Sequence, residues 1–95
     1  MDIGRVITLI RDKKQISQSE LANLIGITQP SLSNIESGKK KPHKSTVKKI
    51  CEKLGIPEQF FYFLVINEDD LPVTGRSKFK IVEKELKDLI LSTLE

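Results

Sequence analysis

The sequence predicts an all-α protein. Apolar residues recur at three- and four-residue spacing in one segment after another, and no stretch sustains the two-residue alternation of a half-buried strand. The periodic segments are also bounded by a capping residue, a glycine or a proline. Ile3, Val6, Ile7 and Ile10 share one face and predict a first helix over 2–13. Ser17 and Glu20 have the spacing of a capping box, in which each side chain bonds the other's amide. The helix they open carries Leu21, Ala22, Leu24 and Ile25 and stops at Gly26, where a left-handed residue suits a helix end.

Only three residues separate Gly26 from the next predicted helix, 29–36. Thr28 serves as its N-cap, so Pro30 falls in the first turn. Amides there have no intrahelical partner, and a proline loses nothing. Ser37 and Gly38 close this element, and Lys39-Lys40-Lys41-Pro42 follows as a basic loop. Val47, Ile50, Cys51 and Leu54 predict a fourth helix over 44–54, ended by Gly55. A fifth begins around Pro57 and Glu58 and carries Phe60, Phe61, Phe63 and Leu64. Residues 67–76, with Pro72 and Gly75, read as a linker. A last helix is expected over 77–94, with Phe79, Val82, Leu86 and Leu89 in the 3-4-3 spacing of a coiled-coil seam.

Composition narrows the function. A chain of 95 residues makes one domain, or a small domain with an appendage. At this size folding buries roughly 60–65% of the unfolded surface, so self-association would add stability. A single cysteine excludes an intramolecular disulfide. No apolar run approaches the ~18–20 residues that span a bilayer, and the N-terminal residues lack a secretory pattern, so a soluble cytoplasmic protein is expected. Residues 1–55 hold 11 Lys/Arg and 5 Asp/Glu, a net +6; residues 56–95 hold 5 and 8, a net −3. The basic part suits a polyanion.

The second and third helices, joined by a tight glycine turn, form a helix-turn-helix pattern. Two helices that cross steeply need a small residue at the crossing, which Ala22 supplies, and a turn residue, which Gly26 supplies. Leu21, Ile25, Ile27, Leu32 and Ile35 are placed to pin both helices to a core. The run Q-S-E-L-A-N-L-I-G-I-T-Q-P-S-L-S-N-I-E-S-G-K-K-K-P resembles the phage repressor/Cro-type (XRE-type) helix-turn-helix domain, and the likeness extends through Ile56. It implies a five-helix domain over residues 1–66 that binds operator DNA, usually as a dimer, and regulates transcription, most often by repression. It also implies an ion pair between Arg11 and Glu36.

A major groove admits one α-helix, and the helix opening at Gln29 is the one expected there. Gln29 can pair bidentately with adenine, and Asn34, further along the helix, can do the same or reach a phosphate. Ser31 and Ser33 are short and adaptable. Pro30 departs from relatives with a polar residue there and can only pack, for instance on a thymine methyl. Gln18, Thr28, Lys39, Lys40, Lys41 and Lys44 are the expected phosphate contacts, which position the helix without reading sequence.

Other candidates have simpler readings. Cys51 sits in an apolar stripe as a small core residue. One His, at 43, and one Cys cannot furnish a four-ligand zinc site, and Glu68-Asp69-Asp70 reads as a solvated acidic run. With no phosphate-cradling loop and no triad, neither an enzyme, a metal nor a cofactor is expected. The run Phe60–Ile66 is apolar on more sides than one small core can bury. Together with the seam Phe79, Val82, Leu86 and Leu89, it predicts a homodimer joined through residues 77–95, with the last helix folded back on its own domain as the competing reading. The alternative is a protein-interaction module, such as an antitoxin, whose C-terminal segment docks a different protein.

Overall fold

A computed structural model describes residues 2–67 and 70–94, and the ordered elements among them are all helices. These are α1 (Ile3–Lys13), α2 (Gln18–Ile25), α3 (Gln29–Glu36), α4 (Lys44–Leu54), α5 (Glu58–Val65) and α6 (Val73–Ser92). Asp2 caps α1 by accepting from the Arg5 amide at 2.8 Å. Pro57, extended in its backbone, leads into α5. Glu68 and Asp69 of the acidic run lie outside the described residues, and Asp70 is exposed.

One core joins the first five helices. Val6, Ile7 and Ile10 of α1 meet Leu21, Ala22 and Ile25 of α2 and Leu32 and Ile35 of α3. Val47, Ile50, Cys51 and Leu54 of α4, Ile56, and Phe61 and Leu64 of α5 complete it. Burial pushes the Cys51 thiol up to about 11, with smaller contributions from Glu58 and Glu52, so it stays a neutral core group at ordinary pH. Leu24, expected on the apolar face of α2, is instead about half exposed, because it lies at the edge of the buried face formed by Leu21, Ala22 and Ile25.

α1 and the end of α3 approach each other closely at Gly4. A Cβ built on Gly4 would stand 2.5 Å from the Glu36 carbonyl oxygen and closer still to that of Ile35. A glycine inside an otherwise periodic helix is a signal of such an approach. The turn after α1 holds a further local cost: Gln15 adopts φ +55, a conformation that residues with a side chain rarely take.

The last helix starts four residues before the expected 77, which shortens the connection from α5. Pro72 occupies the N-cap position with φ −56 and ψ 146, a conformation that proline favours at a helix start. Gly75 lowers helix propensity by about 1 kcal/mol without terminating the helix. The Arg76 guanidinium donates to the Leu71 carbonyl at 3.1 Å and ties down the first turn. The helix then runs back along α5. Leu94, just beyond it, is 3% exposed in the shared core, with Ile90 and Leu91 packed beside it. Lys87 donates to the Ile66 carbonyl at 2.8 Å, placing a cation at the C-terminal end of α5. No helix among the described residues is long and apolar enough to cross a membrane.

Candidate nucleic-acid interface

The local sequence fixes how α3 is presented. In α2 the Glu20 amide donates to Ser17 Oγ at 3.0 Å, and Glu20 Oε1 accepts from the Ser17 amide at 3.4 Å. Gly26 is left-handed at φ +76, and the Ile27 amide turns back to the Ala22 carbonyl at 3.0 Å. The chain can therefore reverse within three residues. Ala22 is buried at the crossing, and Ile27 packs partly buried against the core. At the start of α3, Thr28 Oγ1 accepts from the Ser31 amide at 3.2 Å and donates to Ser31 Oγ at 2.8 Å.

Leu32 and Ile35 pin α3 inward, so its remaining faces point away from the core. Gln29, Pro30 and Asn34 are exposed. Ser31 and Ser33 are half-buried, and Ser31 is engaged with the Thr28 cap. Among the five proposed base readers, three thus lie on open surface and two sit at its edge.

Beneath this surface, Glu36 gathers four donors. Arg11 Nε reaches Glu36 Oε2 at 3.0 Å, while Arg11 Nη2 reaches Oε1 at the same distance, a bidentate pair. Thr8 Oγ1 donates to Oε1 at 2.9 Å and Gln18 Nε2 at 3.2 Å. The Arg11 side chain is 14% exposed and that of Glu36 is 6%. The hydrogen bond to Glu36 holds the Arg11 guanidinium above its ordinary value, against the opposing effect of burial. Arg11 Nη1 also donates to the Ile16 carbonyl at 3.0 Å, which ties the turn before α2 to the same cluster. Thr8 was not legible as a participant. Gln18, half-buried, also accepts a hydrogen bond from Gln29 Nε2, so the two amides meet at the foot of α3.

The basic loop is clipped to the end of the same helix. Gly38 is left-handed at φ +84, and the Lys40 amide donates to the Asn34 carbonyl at 3.1 Å. Lys39, Lys40 and Lys41 are exposed, as is Lys44 at the first position of α4. Exposed His43 precedes it without a side-chain cap bond.

A second surface lies between α5 and α6. Phe79 is half-buried and meets the Phe63 ring edge-on, with centroids 6.1 Å apart. The other seam residues remain open: Val82 is 42% exposed, Leu86 41% and Leu89 60%. Leu86 and Leu89 line an apolar groove of about 360 Å³ together with Phe60, Phe63 and Ile90. The seam is thus divided. Phe79 packs on its own domain, and Val82, Leu86 and Leu89 remain open.

Comparison with known proteins agrees with this geometry. Residues 7–61 match the helix-turn-helix family. The chain is 36% identical over 66 residues to an uncharacterised HTH-type transcriptional regulator of Mycobacterium tuberculosis, covering 70% of this chain and 26% of that protein. It is 30% identical over 98 residues to the HTH-type transcriptional repressor RghR of Bacillus subtilis, covering 93% and 71%. The HTH-type transcriptional regulator PuuR of Escherichia coli is 32% identical over 81 residues, covering 76% and 44%. The chain spans about a quarter of the length of the mycobacterial relative. The capped, glycine-turned pair α2–α3, its pinned apolar residues and these matches establish that the chain belongs to the XRE-type helix-turn-helix family of transcriptional regulators.

Proposed function

We propose that the protein is a sequence-specific DNA-binding regulator, a repressor, that binds a pseudo-palindromic operator as a homodimer. The observation that carries this reading is the exposed face of α3. Gln29 and Asn34 stand outward on a helix held from behind by Leu32 and Ile35, with three exposed lysines clipped to its end. Gln29 and Asn34 read base edges, Pro30 packs on a thymine methyl, and Ser31 and Ser33 make adaptable contacts. Gln18, Thr28, Lys39, Lys40, Lys41 and Lys44 hold phosphates. The name of the Bacillus relative, a repressor, supports the sign of regulation.

Dimerisation is supported by the open part of the seam. Val82, Leu86 and Leu89 on one helix face suit an isologous contact, in which a second copy presents the same face across a two-fold axis. Half-sites are then about 10–10.5 base pairs apart, or a multiple. Replacing both Leu86 and Leu89 by Glu is expected to give a folded monomer in sedimentation, because both residues lie at the surface. A wild-type chain that sediments as a monomer at all concentrations would redirect the groove to a different protein, as in the antitoxin reading.

Selection of bound duplexes from a random pool at moderate salt tests the whole proposal, with an enriched inverted repeat as the expected result. Gln29→Ala should relax preference at one base pair per half-site by about 1–3 kcal/mol. Lys40→Ala should weaken all sequences alike and lower the log–log salt slope by about one unit. Retention of DNA without enrichment would reduce the interface to non-specific charge.

A further inference from the structure

The two helical glycines, Gly4 and Gly75, differ in what stands against them. A Cβ built on Gly4 would meet the backbone of Ile35 and Glu36, while one built on Gly75 meets nothing within 4 Å. A glycine inside a helix lowers its stability and, where it persists, often marks a close approach of another backbone. At Gly4 the approaching element is α3; at Gly75 no described residue fills that place. We infer that α6 of a second copy fills it, laid antiparallel, with the partner's Leu86 over Gly75 and the partner's Glu85 against Lys78. The inference rests on the proposed homodimer and deepens it, by giving the direction and register of the contact.

Direction follows from the two edges of the open face. Gly75, Val82 and Leu89 recur at heptad spacing, with Phe79 and Leu86 between them, so all five lie along one stripe of α6. Along one edge, Glu83 accepts from Lys87 at 2.9 Å, Lys87 also donates to the Ile66 carbonyl, and Ile90 packs against the core. That edge is taken by α5. Along the other edge Lys78 and Glu85 are exposed, one heptad apart. Parallel helices bring each edge against the partner's opposite edge, so Lys78 would have to meet the partner's Glu83, already held beside its own α5. Antiparallel helices bring like edges together, and the open edge of one copy then meets the open edge of the other.

Register follows from charge and size. With Phe79 opposite the partner's Val82, Gly75 falls opposite the partner's Leu86, and Lys78 falls opposite the partner's Glu85. The two-fold axis makes every one of these contacts twice. Sliding the helices by one heptad sets Lys78 on the partner's Lys78 in one direction, and Glu85 on the partner's Glu85 in the other. Exposed ion pairs add little affinity, but like charges set face to face exclude a register that apolar contact alone would allow. The same register places a large side chain over the space left open at Gly75.

The test is sedimentation of Lys78→Glu, Glu85→Lys, an equimolar mixture of the two, and the chain carrying both changes. Both positions are exposed, so each variant should melt close to wild type. Each single variant sets like charges together at two places, and its dimer should dissociate about 5- to 30-fold more readily. The mixture and the doubly changed chain restore opposite charges at both places and should recover wild-type affinity. On mild oxidation, Lys78→Cys mixed with Glu85→Cys should give a disulfide-linked pair, while neither alone should. If either cysteine variant crosslinks alone, or the charge variants dimerise like wild type, the register is wrong and the homodimer stands. If wild type sediments as a monomer at all concentrations, both fall.

Discussion

Gly4→Ala is expected to lower the melting temperature by about 10–15 °C, even though alanine is the better helix former. Two effects oppose each other. Within α1, alanine gains about 1 kcal/mol of helix propensity over glycine. Against this, the new Cβ would stand 2.5 Å from the Glu36 carbonyl oxygen and 2.8 Å from its carbonyl carbon. These are backbone atoms, so no rotamer change relieves the contact, and α1 must separate from the end of α3. Overpacking of this kind costs about 1–3 kcal/mol, more where main chain must shift. A net loss of about 2 kcal/mol corresponds to the expected drop for a domain of this size. Thermal unfolding followed by circular dichroism measures it directly. A variant that melts at or above the wild-type temperature would mean that the helices do not approach this closely.

Breaking the Arg11–Glu36 pair should cost about 3 kcal/mol, which for a domain stable by about 5–15 kcal/mol is a large part of the total. Both side chains are largely withdrawn from water, and Glu36→Met would leave the guanidinium, among the described residues, with the Ile16 carbonyl and exposed Asp12, 3.5 Å away, as polar partners. Replacing both members, as Arg11→Met with Glu36→Met, should cost less than the sum of the single changes, since no charge is then stranded. Denaturant unfolding of the two single variants and the double variant closes the cycle. Additive losses would show that the two residues act independently.

Helices α2 and α3 were legible because their starts are marked by capping residues, and the ends of α2 and α4 by glycines. Gly26 and Gly55 sit where left-handed residues end α2 and α4, and Ser17 and Thr28 bond the amides that their spacing offered. The start of α6 was not, since Pro72 and Gly75 are linker signals in a sequence, whereas in the fold the Gly75 amide bonds the Pro72 carbonyl and Arg76 turns back to Leu71. Leu24 matched the apolar period of α2 but faces solvent, because period alone does not set how wide a face the neighbours cover. The outward set Gln29, Pro30 and Asn34 could be read from the helix start. The inward bonds of Thr8 and Gln18 to Glu36 could not, because they depend on how α1, α2 and α3 cross. Gly4 did carry a signal for that crossing, a glycine within a helical pattern.

The bond from the Lys40 amide to the Asn34 carbonyl has a thermodynamic consequence. Ordering a free loop costs roughly 1–2 kcal/mol per residue. Because the loop is already fastened to the helix it follows, the proposed DNA complex forms with that segment in place. Calorimetry should then give a heat capacity change set by the apolar area covered, without the larger value that accompanies folding on binding.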